Sequence, residues 1–319
     1  MSSARSSMPE VPARMWAIRL HSPDGPAGLV YEQADTPRPK EGEALVRVFA
    51  AAITRGELDW PTDRLPAIPS YEFSGVVVAA AGEDRDTMVG DPVYALSAFD
   101  RDGAAAEYVA VRNEFLAPKP GSLGYVESAA VPLAALSAWQ GLFDHGQLQK
   151  GQRVLVHGAA GGVGSYAVQL AHQHGAHVIG TASTRNLEAA RKLGADQIID
   201  STSDRFEEAA KVVDLVFDTV GGDRLERSLA VLRAGGRLVS VAEEPPGERA
   251  AALGITATYF VVEPNRPQLL ELARWIDRGA VRPLVDEVFP LADARKAFER
   301  SLGDHGAGKI VLRVADEAE

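Results

Sequence analysis

The chain contains no cysteine. That excludes disulfides, thiolate nucleophiles and every zinc or iron–sulfur site that needs a cysteine ligand. It also lacks any apolar run of the roughly 18 residues that a membrane-spanning helix requires. Basic residues are outnumbered: 33 Lys and Arg against 44 Asp and Glu leave a formal net charge of −11 with no basic cluster. No nucleic-acid partner and no membrane partner are therefore expected. The seven histidines offer no metal-ligand spacing; His172 and His174 lie two apart on a helical pattern and do not share a face. Residues 1–13 are polar, carry Ser and Pro and have no hydrophobic segment, so they read as a loose tail rather than a signal peptide. A cytoplasmic protein is the default expectation.

What is present points to one kind of ligand. Arg153-Val154-Leu155-Val156-His157 is a short apolar run, followed by the small-residue turn Gly158-Ala159-Ala160-Gly161-Gly162-Val163-Gly164. A helical pattern then places Tyr166, Ala167, Leu170 and Ala171 on one face. A strand turning tightly into a helix aims unpaired N–H groups and the positive helix end at one point, which attracts a pyrophosphate. Gly161 permits the turn, Gly162 allows the diphosphate to approach the backbone, and Gly164 allows the helix to close on the strand. The first glycine of the usual pattern is replaced by Ala159, with Gly158 before it. A second strand ends at Ser183-Thr184-Arg185, where NAD-binding chains place a carboxylate for the ribose 2′-hydroxyl. Two hydroxyls and a guanidinium suit a 2′-phosphate instead, so NADP(H) is the expected cofactor. Ser183 also fits a plain helix N-cap.

The length, 319 residues, suggests about two domains, and 46% hydrophobic content supplies their cores. Up to Leu116 the pattern is mostly β, with runs at 15–20, 43–51, 75–80, 92–95 and 105–111 and a proline-rich loop at 61–69. Residues 125–143 are helical with Pro132 in the middle, hence two pieces. Six strands follow at 154–157, 178–182, 197–200, 213–218, 236–241 and 256–262, with helices between them. That alternation predicts a complete doubly wound parallel sheet. A helix at 268–277, a helix at 291–302 and a strand at 309–312 lie beyond it, and the tail is expected to return to the first domain.

The chain resembles the medium-chain dehydrogenase/reductase superfamily, in its zinc-free quinone oxidoreductase branch. The resemblance rests on Tyr71-Glu72-Phe73-Ser74-Gly75-Val76-Val77, Ala106-Glu107-Tyr108, Ala129-Ala130-Val131-Pro132-Leu133 with Ser137-Ala138-Trp139, the glycine turn, Leu193-Gly194-Ala195-Asp196, Phe217-Asp218-Thr219-Val220-Gly221-Gly222 and Gly308-Lys309-Ile310-Val311-Leu312. It implies an α/β chain with a GroES-like β-rich catalytic domain (residues 14–122 and 266–319) and a Rossmann domain (residues 123–265). Cofactor and acceptor would meet in the cleft between them, and a homodimer is common. Where zinc-dependent relatives have a histidine ligand this chain has Tyr71, a poor Zn²⁺ ligand because a phenol stays protonated at neutral pH. Without a Lewis acid, alcohol oxidation loses its stabiliser, whereas reduction of a quinone or α,β-unsaturated carbonyl needs only hydrogen bonds to oxygen.

The candidate catalytic residues are Tyr71 and Thr54, each either a donor to the developing oxyanion or an ordinary buried phenol or turn hydroxyl. Trp60 is a candidate wall of the substrate pocket; Arg55 and Glu57 on the same loop could also shape it, with a solvated pair as the default reading. Cofactor contacts are expected from Ser137, Gly158, Ala160, Gly161, Gly162, Val163, Gly164, Ser183, Thr184, Arg185 and Lys309. The backbone near Val220, Val241 and Phe260, at the carboxyl ends of the last three strands, completes the set. One departure weakens the 2′-phosphate site: Ser201 stands after Ile199-Asp200 where relatives have a tyrosine. The expected function is zinc-independent, NADPH-dependent hydride transfer to a quinone or enone, a small electrophilic acceptor. A trans-2-enoyl thioester reductase and a non-catalytic NADP-binding regulator are the alternatives.

Overall fold

The computed structural model describes residues 11–60, 63–81, 88–303 and 306–316. Most of the expected tail (residues 1–10) and the start of the proline-rich loop (61 and 62) lie outside the described residues. Fifteen strands occur among those described: β1 Arg14–Leu20, β2 Leu29–Asp35, β3 Glu43–Ile53, β4 Glu72–Ala80, β5 Pro92–Leu96, β6 Tyr108–Arg112, β7 Ala117–Pro118, β8 Arg153–His157, β9 His177–Ala182, β10 Gln197–Asp200, β11 Val213–Asp218, β12 Leu232–Ser240, β13 Thr256–Tyr259, β14 Val285–Pro290 and β15 Lys309–Arg313.

Strands β8 to β13 form one parallel sheet in the order β10-β9-β8-β11-β12-β13. This is the doubly wound arrangement expected, and its strand order reverses between β8 and β11. A crevice opens at such a reversal, beyond the carboxyl ends of the strands. β8, β9 and β11 are almost wholly buried, as continuous Val/Ile/Leu runs between two helical layers must be. The helix Gly162–His174 follows β8 directly, buries Tyr166, Ala167, Leu170 and Ala171, and ends on left-handed Gly175. Before β8, two helical pieces, Tyr125–Ala129 and Pro132–Trp139, meet at Pro132, which takes the first helical position of the second piece.

The second sheet runs β14-β15-β3-β4-β5-β7, with β6 also paired to β3. β3 is its buried centre, and β15 pairs antiparallel with it through Ile310↔Ile53 and Leu312↔Ala51. The C-terminal strands therefore return to the first part of the chain. β2 and β14 were not expected from sequence. Both are exposed along much of their length, and residues such as Glu32, Gln33, Asp286 and Glu287 erase the alternation that marks a half-buried strand.

The parallel sheet and the β3 sheet are bridged beside the glycine turn. Gly308, just ahead of β15, forms an isolated parallel bridge with Gly161 and donates its amide to the Ala160 carbonyl at 2.9 Å. No helix among the described residues is long and apolar enough to cross a membrane.

Gly164 shows why the turn must be built from glycine: a Cβ there would sit 2.0 Å from the Gly158 carbonyl oxygen. Gly247, at the start of a helix, would meet nothing within 4 Å. Gly164→Ala is expected to lower the melting temperature by at least ~5 °C and Gly247→Ala by about 1 °C or less. Thermal denaturation of both variants checks this, and equal effects would contradict the packing described.

Candidate active site

The turn after β8 presents a ready anion cradle. Ser165 N to Gly161 O, at 2.9 Å, is the first helical hydrogen bond, so the amides of Gly162, Val163 and Gly164 precede the ladder. Gly161 offers no capping side chain. These amides and the helix end fit a dinucleotide pyrophosphate. Gly158 takes left-handed φ (+73°), and its amide donates to Thr181 Oγ1 at 3.3 Å. The close neighbour of Gly162 is the chain itself: a Cβ would lie 2.7 Å from Lys309 Cδ. His157, under the turn, is buried between Thr181 Oγ1 (3.2 Å) and Ser228 Oγ (2.9 Å). Burial holds its pKa down to about 3, so it serves as a neutral structural imidazole.

The ribose end is less simple than the sequence suggested. Ser183 is half-buried, and Thr184 and Arg185 are exposed at the end of β9. The Thr184 hydroxyl donates to Asp200 Oδ2 and lies 2.7 Å from both that atom and Thr202 Oγ1. β10 thus brings a carboxylate to a place where β9 supplies none.

Lys309 and Thr54 are brought together. Lys309 is 6% exposed; its ammonium donates to Thr54 Oγ1 at 2.8 Å and pairs with Glu72 Oε1 at 2.6 Å. Glu72 is fully buried, and its other oxygen accepts the Leu133 amide at 2.8 Å. Glu57 is also fully buried, with the Ser70 hydroxyl 3.5 Å from Oε1 and no hydrogen-bond partner for Oε2 among the described residues. The expectation of a solvated Arg55–Glu57 pair is corrected here. Arg55 is exposed and donates to the Leu302 carbonyl, whereas the short helix Glu57–Asp59 turns Glu57 inward beneath β4. Burial drives both carboxyls upward. Lys309 and the Leu133 amide offset part of this at Glu72, whose pKa stays above its ordinary value; at Glu57, where Lys309 also opposes the shift, the pKa stands at about 8. The ion pair is Lys309–Glu72, and the proton resides on Glu57.

Tyr71 lies deeper than a substrate contact suggests, fully buried beneath Trp60 and Phe99. Its hydroxyl accepts from Arg64 Nη2 at 2.8 Å, the same nitrogen donating to the Phe99 carbonyl at 2.8 Å. Arg64 Nη1 is buried without a hydrogen-bond partner among the described residues. Trp60 is 41% exposed and meets Phe99 edge-on, with ring centroids 5.1 Å apart. A zinc ion does not fit this donor set. The phenol, raised in pKa chiefly by burial, sits against a guanidinium, the only nearby carboxylate of the motif is held by Lys309, and cysteine is absent. Among the described residues no group of three or more His, Asp or Glu is placed to hold a metal.

The remaining candidates divide. Ser137 is buried, and its hydroxyl donates to the Leu133 carbonyl at 2.7 Å within its own helix. Val220 is 46% exposed beyond β11, Val241 is half-buried beyond β12, and Phe260 is buried beyond β13 with its ring 4.3 Å from that of His145. The contacts made by Glu72, Arg64, Phe99 and Asp200 were not anticipated from sequence. For Glu72 a signal existed, since it follows Tyr71 directly and precedes an apolar strand.

Two family models match this chain: the alcohol dehydrogenase GroES-like domain over residues 40–121 and the zinc-binding dehydrogenase domain over residues 193–312. The chain is 36% identical over 295 residues to the NADPH-dependent alkenal/one oxidoreductase of Arabidopsis thaliana, covering 86% of this chain and 73% of the relative. The chain belongs to the medium-chain dehydrogenase/reductase superfamily, in its quinone oxidoreductase branch. The 2-methylene-furan-3-one reductase of Solanum lycopersicum is 35% identical over 86% of this chain and 72% of its own length. Among solved structures, the quinone oxidoreductase of Coxiella burnetii superposes with a TM-score of 0.88 at 30% identity, covering 95% of this chain and all of that one. Medium-chain relatives thus match both sheets and their connection.

Two predictions follow from the buried charges. Lys309→Met strands the Glu72 carboxylate and should cost about 3–5 kcal/mol, part of which the double variant Lys309→Met/Glu72→Gln recovers. Equal stabilities of single and double variants by chemical denaturation would contradict the pairing. The folded pKa of Glu57 lies above its ordinary 4.5, so the folded state holds the proton more tightly than the unfolded one. Its contribution is full below about 4.5 and is lost as pH rises through about 8. Glu57→Gln should therefore gain melting temperature relative to the parent steadily between pH 5 and 8; a pH-independent difference would show that Glu57 does not hold the proton.

Proposed function

We propose that this protein is a metal-independent, NADPH-dependent reductase of α,β-unsaturated carbonyls and quinones. The observation that carries the reading is the Lys309–Thr54 hydrogen bond beside the glycine turn. The amides of Gly162, Val163 and Gly164 would hold the pyrophosphate, with Lys309 packed against Gly162. When bound, the reduced dinucleotide supplies a hydride to an electrophilic carbon. Thr54 is half-buried, and its oxygen receives the Lys309 ammonium. Its hydrogen has no acceptor among the described residues and is available to the acceptor's oxygen. The ammonium, balanced by Glu72, makes that hydroxyl a stronger donor as negative charge develops.

Such a donor is sufficient only for an activated substrate. In a conjugated carbonyl or quinone the receiving carbon is already electrophilic, and the oxygen needs hydrogen bonds rather than a Lewis acid. The relatives, an NADPH-dependent alkenal/one oxidoreductase and a 2-methylene-furan-3-one reductase, support this substrate class. The exposed ring of Trp60 offers a flat wall for a planar acceptor.

Purified protein should oxidise NADPH in the presence of short enones, alkenals or simple quinones. Thr54→Val should lower kcat by roughly 100-fold while leaving NADPH affinity unchanged. No NADPH oxidation across such a panel, with NADPH shown to bind, would contradict the proposed chemistry.

A further inference from the structure

The polar knot joining the ends of β9 and β10 lies outside the hydride-transfer chemistry. The two strands run parallel with Ala182 opposite Asp200, and the Ser201 amide donates to the Ala182 carbonyl at 2.9 Å. Asp200 is consequently carried to the carboxyl edge of the sheet beside Thr184. Each of its oxygens is held: Oδ2 accepts from Thr184 Oγ1 at 2.7 Å, and Oδ1 accepts from Thr202 N at 2.9 Å and Thr202 Oγ1 at 2.6 Å. These donors, Thr202 first and Thr184 second, hold the carboxyl below the usual carboxylate range, so it is anionic at neutral pH. A further carboxylate, Asp204, accepts the Asp200 amide at 3.3 Å.

The end of the second strand in a doubly wound sheet is where the adenosine ribose lies. A carboxylate there accepts a hydrogen bond from a 2′-hydroxyl and repels a 2′-phosphate. In this chain the second strand brings Thr184 and Arg185, which suit a phosphate, and the third brings Asp200, which suits a hydroxyl. The Thr184 hydroxyl is already engaged with Asp200 and Thr202.

We propose that Asp200 is the specificity-determining residue at the ribose, and that it lets the chain bind NADH alongside NADPH instead of selecting NADPH alone. The inference rests on the reading above that a pyridine dinucleotide occupies the glycine turn. Specificity here is a difference between two affinities, and the opposing charge removes part of the phosphate's advantage.

The test is direct binding, read by nicotinamide fluorescence in the absence of any acceptor. The parent chain should bind both dinucleotides, with NADPH favoured by less than about 100-fold. Asp200→Asn keeps an oxygen for Thr184 and removes the charge, and should raise the NADPH:NADH preference about tenfold. Asp200→Ser, with a different hydrogen-bonding capacity, should shift the preference in the same direction, which guards against a folding defect in one variant. A preference unchanged in both variants, or a parent chain that does not bind NADH, overturns the role of Asp200. Failure of the parent to bind either dinucleotide overturns the underlying reading of the glycine turn, a different result.

Discussion

A lysine ammonium almost sealed from water has to be neutralised where it stands, and Lys309 is the constraint around which the site is organised. It opens β15, directly after Gly308, whose φ of +99° and close approach to the Leu284 carbonyl leave no room for a side chain. That backbone is fixed to Ala160 and Gly161 of the glycine turn. The ammonium is therefore carried to the junction of the parallel sheet and the β3 sheet. Glu72 neutralises it, the start of the helix Pro132–Trp139 supports Glu72, and at Glu57 burial outweighs the pull of Lys309 and raises the pKa to about 8. An unpaired charge among these groups would cost several kcal/mol, so cradle, ion pair and Thr54 hydroxyl are held in one arrangement.

The Tyr71 position is closed by packing and hydrogen bonds. Arg64 donates to the Tyr71 hydroxyl, and Trp60 and Phe99 close over the ring. In the proposed reaction the donor is Thr54, on the loop that follows β3.

The parallel sheet was legible because its strands are buried on both faces and its helices carry an apolar stripe, so local periodicity reports the three-dimensional environment. The glycine turn was legible for a related reason: its residues are small because the backbone must approach itself, as at Gly164. Exposed edge strands β2 and β14 carry no such imprint. The site was only half legible. Thr54 and Lys309 could each be singled out, but their hydrogen bond joins residues 255 apart in sequence, and no local pattern reports it. Glu57 sits among Arg55, Asp59 and Trp60, which look like a solvated loop; only the fold places β4 and Lys309 over it. Asp200 ends a strand, as many aspartates do, and its relation to Thr184 appears only when β9 and β10 pair.

In the proposed reaction Lys309 stays tied to Thr54 while the amides of Gly162, Val163 and Gly164 hold phosphate. A crystal structure of the protein with NADPH tests both together. The pyrophosphate should lie on those amides with the Lys309 ammonium still within hydrogen-bond distance of Thr54 Oγ1 and Glu72. A dinucleotide bound elsewhere, or a Lys309 side chain swung away from Thr54, would contradict it.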